Sequence, residues 1–128
     1  MTGTNPMTAS SEATSLFATA RTDGLYLRSR DGDRLGQVHA FMIEKRSILV
    51  SYAVLSLGGM LGLGRSYYPI PIKFLSYDST ADSYIVKIDQ RVLEGCPSWA
   101  NHTPEFTRAY ADRVSSYYEA TPETVGLA

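Results

Sequence analysis

Cysteine is almost missing from this chain: Cys96 is the only one in 128 residues. No internal disulfide can form, and nothing points to an oxidising compartment. A cysteine-based zinc site is excluded as well, because tetrahedral sites need several thiolate or imidazole ligands. Long apolar runs are also lacking. None reaches the roughly 18 uninterrupted residues a membrane span requires. The N-terminus has no basic stretch followed by an apolar core, so it does not read as a signal peptide. A net charge of -1 provides no broad basic field for nucleic acid or an anionic membrane. These absences point to a cytoplasmic chain. What is present suits one folded domain with tails: 44% hydrophobic residues and 20% charged.

The chain is organised around the stretch from Ile48 to Pro71, ILVSYAVLSLGGMLGLGRSYYPIP. It reads as a buried strand, a glycine loop and a second strand closed by prolines. Met1 to about Ala20 is dominated by Ser, Thr and Ala and is expected to stay disordered, with Leu16 and Phe17 free to dock. Leu25–Arg28 suits a short strand. Asp31-Gly32 then marks a tight turn. Asp31 and Asp33 alone do not make a calcium loop, which needs further acids and a distal Glu.

Leu35–Glu44 reads as the second strand. Alternation places Val38, Ala40 and Met42 on one face and His39, Phe41 and Ile43 on the other. After a reversal at Lys45–Ser47, a third strand is expected over Ile48–Leu57, with apolar groups on both faces. A small barrel hides one face inside itself. The other needs a cover, because exposed apolar patches of several hundred Å² are uncommon on monomers.

From Gly59 the chain spells G-x-x-x-x-G-R-S, a phosphate-binding loop with Arg for Lys. Such a loop needs a helix behind it to aim N–H groups at the phosphates. Pro69 and Pro71 forbid one here, so the segment reads as a connector whose Met60, Leu61 and Leu63 pack on apolar surface. A short turn is expected at Ile72–Leu75, a last strand at Ser83–Ile88, and a single helical turn after Asp89, ended by Gly95. Thr103, Pro104 and Glu105 read as the start of a longer helix, with Phe106, Tyr110, Val114 and Tyr117 as its apolar stripe. Residues 121–128 read as a tail.

LRSRDGDRLGQVHAFMIE, SYAVLSLGGMLGLGRSYYPIPIKFLSYDSTADSYIVKI and LEGCPSW together resemble a PRC-barrel domain. That family includes the cytoplasmic part of the photosynthetic reaction-centre H subunit and the C-terminal domain of the ribosome-maturation protein RimM. The resemblance spans roughly 23–99. It implies a small, strongly bent antiparallel β-barrel that mediates contacts with proteins or ribonucleoprotein. Nothing before residue 23 is similar to the membrane helix of the H subunit or to the first barrel of RimM. The expected organisation is a tail over 1–22, the barrel over 23–99, a C-terminal amphipathic helix over 100–120 and a tail over 121–128.

Chemistry is sparse. His39 and His102 fall in different elements, and Cys96 has no neighbouring His in sequence. No G-x-S-x-G elbow is present. The sequence therefore points to a non-enzymatic interaction module with no catalytic residues, cofactor, metal or small-molecule substrate. The candidate contact residues are Phe41, Ile43, Leu55, Leu57, Met60 and Leu61 on the outer barrel face, and Phe106, Tyr110, Val114 and Tyr117 on the helix. A self-associated dimer is the simplest assembly. The alternative is a ribosome- or RNA-associated factor binding through Arg28, Arg30, Arg34, Lys45 and Arg46 near strand ends.

Overall fold

The computed structural model describes residues 17–22, 24–58 and 64–120. Expectations for Leu16, for Met60, Leu61 and Leu63 and for both outer tails lie outside these residues. Seven strands form one curled, half-barrel sheet: β1 (Phe17–Arg21), β2 (Tyr26–Arg28), β3 (Arg34–Glu44), β4 (Leu49–Gly58), β5 (Arg65–Pro71), β6 (Leu75–Asp78) and β7 (Ser83–Val86). Their order is β5-β4-β3-β2-β7-β6, with β1 paired to β3 beyond the end of β2. All pairings are antiparallel except β2 with β7. Two helices follow, α1 (Gln90–Glu94) and α2 (Arg108–Ala120).

The fold starts earlier than the boundary expected at residue 23. Phe17–Arg21 pairs residue by residue with Arg21↔Ala40 through Phe17↔Glu44, and Phe17 is buried against Tyr52. The Asp31-Gly32 turn forms as expected. Gly32 sits at φ +94, and Ser29 Oγ accepts from the N–H groups of Asp31 and Asp33. Such an angle favours glycine. The residues after the glycine loop enter strand β5, not a helix, which agrees with the rejection of a phosphate loop.

Two irregularities change which side chains share a face. Val38 pairs with Leu55 but Ala40 pairs with Val54, so His39 is an extra residue in β3. Similarly, Met42 pairs with Tyr52 and Ile43 with Val50, leaving Ser51 extra in β4. A bulge of this kind shifts the alternation by one position. Val38 therefore joins Leu55 and does not share a face with Ala40. One face carries Ala40, Met42, Tyr52 and Val54; the other carries Val38, Phe41, Ala53 and Leu55.

β4 is buried on both of these faces, from Tyr52 to Ser56. On the second face Phe41 meets Tyr84 of β7 at 6.0 Å between ring centroids. Over the first lies α2. Its stripe is Tyr110, Ala111, Val114 and Tyr118, all buried. Tyr118 donates to the Pro69 carbonyl and packs on Phe74, while Tyr110 donates to the Pro97 carbonyl and meets Tyr52. The helix begins one turn later than expected. Thr107, not Thr103, caps it: its Oγ1 accepts from the Tyr110 N–H at 3.2 Å. Phe106 lies edge-on to Trp99 before the helix starts, which occupies the residues that would have formed the first turn.

α1 matches its expectation, with the Asp89 side chain accepting from the Arg91 N–H at 2.9 Å. Gly95 ends it at φ -91, so a left-handed angle is not the reason for glycine. A Cβ there would lie 2.6 Å from the Tyr117 hydroxyl, which donates to the Val92 carbonyl. Close approach of α2 explains this glycine.

Gly36 is the tightest point in the sheet, since a Cβ there would lie 2.2 Å from the Ser56 carbonyl oxygen. Gly36→Ala is expected to cost about 2–3 kcal/mol by overpacking against backbone, read as a shift in the urea midpoint. Two tyrosines give a sharper comparison. Tyr118→Phe removes a bonded hydroxyl and is expected to cost about 1–2 kcal/mol. Among the described residues the Tyr52 hydroxyl is buried without a hydrogen-bond partner, so Tyr52→Phe is expected to be neutral or stabilising by about 1 kcal/mol.

Candidate interaction surfaces

The tip of the β3–β4 hairpin is where apolar surface is left bare. The turn runs from Lys45 to Ile48 and is closed by the Ile48 N–H donating to the Glu44 carbonyl at 2.8 Å. Ile48 sits at φ +62 and is not part of the strand. A β-branched residue rarely adopts this angle, because its Cβ crowds the following carbonyl. Ile48, Leu49 and Val50 are 79%, 67% and 41% exposed. β5 leaves β4 at the Pro71↔Tyr52 pair, so Leu49 and Val50 are paired with β3 on one side and have no β5 neighbour on the other.

The base of the tip is anchored by charge. Glu44 accepts from the Ser47 hydroxyl at 2.6 Å and pairs with Arg108 at the start of α2. The Arg108 guanidinium also lies over the Phe17 ring at 5.5 Å. The Ser47 bond and then Arg108 hold the Glu44 carboxyl below its ordinary value of 4.5. One salt bridge thus ties the hairpin, the first strand and the helix together.

Most of the sequence-derived contact residues are used inside the subunit. Leu55, Tyr110 and Val114 are buried. Phe41, Leu57, Phe106 and Tyr117 are half-buried against the core, and Ile43 is half-buried in β3. Met60 and Leu61 fall outside the described residues. The helix expected to offer an apolar face to a partner instead covers the chain's own sheet. The bare tip was missed because Ile48–Val50 reads as ordinary strand until its backbone angle and pairing are seen.

The basic candidates divide in two. Arg28 and Arg34 line a hollow of about 210 Å³ beside Tyr26, with the Arg34 guanidinium 4.0 Å over that ring. Arg30 lies in the adjoining turn, near enough to Asp89 to help lower its pKa. Lys45 and Arg46 lie beyond the opposite end of β3. At about 3.3 Å per residue, an eleven-residue strand separates the groups by up to roughly 30 Å. They do not form one patch.

Burial pushes the Cys96 thiol up to about 11, so it stays protonated at neutral pH. His102 is exposed, whereas His39 sits half-buried in the β3 bulge. Among the described residues, no three His, Cys, Asp or Glu side chains gather as metal ligands. No helix among them is long and apolar enough to cross a membrane.

The strand order, the bulged β3 and the glycine loop before β5 coincide with a family match. The PRC-barrel domain model matches residues 17–93. The chain belongs to the PRC-barrel domain family. The match begins at the first residue of β1 and ends within α1, so α2 lies outside it. No curated protein matches the chain.

The Glu44 tether predicts a pH dependence. Its lowered carboxyl contributes stability that is fully present above 4.5 and is lost as pH falls through the folded-state value. The difference in urea midpoint between wild type and Glu44→Gln should therefore be largest above that pH and shrink below it.

Proposed function

We propose that this PRC-barrel chain is a non-catalytic interaction and assembly module that self-associates through the β3–β4 hairpin tip. The observation that carries the reading is the exposed Ile48-Leu49-Val50 run, with Ile48 in the left-handed region. In a single subunit the strained Ile48 side chain buries little, so its own burial does not offset a cost of about 1–2 kcal/mol. Burying the tip against a second copy supplies that offset, and a two-fold arrangement lets one patch serve both partners. The half-buried Phe41, Ile43, Leu57, Phe106 and Tyr117 border the core and serve as secondary contacts at most.

The non-catalytic part of the reading draws support from the protonated, buried Cys96 thiol. A lone buried cysteine suits work in the reducing cytoplasm. The RNA-binding alternative is not favoured, because the arginine and lysine candidates lie at opposite ends of β3.

Sedimentation at tens of micromolar tests the proposal. Wild type is expected to be dimeric, and Leu49→Lys monomeric with an unchanged unfolding midpoint measured on the monomer. Ile48→Gly should stabilise the monomer by about 1 kcal/mol while weakening the dimer. A wild-type chain that sediments as a monomer at these concentrations overturns the reading.

A further inference from the structure

A second site lies away from the tip, on the face of the sheet that carries Ala40, Met42 and Val54. There the sheet, the Trp99 loop and the segment leading into α2 enclose a cleft of about 510 Å³. Small-molecule sites are commonly about 300–1,000 Å³, with apolar walls and a few convergent polar groups. Buried Ala40, Met42 and Val54, each no more than 1% exposed, back the cleft from beneath. The walls are aromatic. Tyr67 and Trp99 stack at 5.7 Å and 22°, and their backbones exchange hydrogen bonds of 2.7 and 3.0 Å that fix the loop to β5. Phe106 stands edge-on to Trp99.

The polar groups arrive through the bulge. Because His39 is the extra residue of β3, it and its neighbour Ala40 both line the cleft, which regular alternation forbids. The His39 ring packs 4.8 Å from Tyr67. Arg21, from β1, is the one charged residue among the described residues of the lining, with no Asp or Glu beside it. Among the described residues Arg21 forms no ion pair. Burial, and then the Arg21 charge, lower the His39 pKa below 6.5. Among the described residues the cleft therefore presents one unpaired guanidinium at its rim at neutral pH. Thr19 and Thr103 add hydroxyls at the sides.

We propose that this cleft binds a small organic carboxylate with a flat apolar body. The guanidinium fork matches a carboxylate in two parallel hydrogen bonds. The flat body lies against the half-buried Trp99 and Tyr67. One cation among the described lining residues suits a monoanion better than a phosphate. This site is independent of the hairpin tip and stands whether or not the chain self-associates.

Trp99 is the only tryptophan, so its indole N–H signal reports on the cleft without ambiguity. The full-length chain is titrated with 2-naphthoate and with neutral 2-naphthalenemethanol, followed by that signal and by calorimetry. Saturable binding of naphthoate is expected, about tenfold tighter than the alcohol, as one charge-assisted pair provides. Arg21→Gln, an exposed change at the cleft rim, should reduce naphthoate to the level of the alcohol and leave the alcohol unaffected. Equal affinity of wild type for both probes overturns the proposal, as does unchanged naphthoate binding by Arg21→Gln. A cleft filled by the chain's own N-terminal residues leaves the Trp99 signal unmoved by either probe, and that result overturns it too.

Discussion

Burial of β4 on both of its faces is the constraint from which the rest of this structure follows. Tyr52–Ser56 has no solvent-facing side, so one sheet has to be covered twice. Curling the sheet brings β7 toward β3 and shelters the face of Val38, Ala53 and Leu55. The opposite face is covered by α2, whose Tyr110 and Tyr118 donate to carbonyls of the Pro97 loop and of β5. These hydroxyls let large rings enter the core while satisfying their polar ends. Burial raises the pKa of both, so they remain donors throughout the accessible pH range.

This arrangement settles what the surface can offer. A helix spent on its own sheet is not available to a partner. Among the described residues the exposed large aliphatic side chains are at the hairpin tip, where β4 runs past β5, while Tyr26 and Tyr77 are exposed elsewhere. The first face is covered, since Ala40, Met42 and Val54 are buried, but the cover leaves a cleft at its edge between the Trp99 loop, Phe106 and β1. Both candidate sites are remainders of one packing problem: the tip lies where β4 outruns β5, and the cleft lies at the margin of the cover.

Much of the fold was legible from the residues. The Asp31-Gly32 turn, the Asp89 cap and the two prolines of β5 act through local backbone chemistry, and each stands where it was expected. β1 was less legible. Ala18, Thr19 and Ala20 have little hydrophobic signature, and they form a strand because β3 has a free edge beyond β2. The face assignments of β3 and β4 failed for a different reason. Neither His39 nor Ser51 carries a mark in sequence that distinguishes a bulge from regular strand, yet one extra residue reverses every side chain beyond it. The same blindness hid Tyr118, which replaces Tyr117 as the deepest residue of α2 once the helix begins at its true cap.

By itself the sequence determined the family, the β-rich class and the need to cover two apolar faces, because turn residues and hydrophobic content act locally and additively. It could not determine which side chains cover which. That depends on pairing register and on where a helix begins, both set by competition between distant segments for the same surface. Only the tertiary structure placed Ile48 in a strained, bare turn, separated the basic residues along β3, and set His39 against Tyr67 and near Arg21.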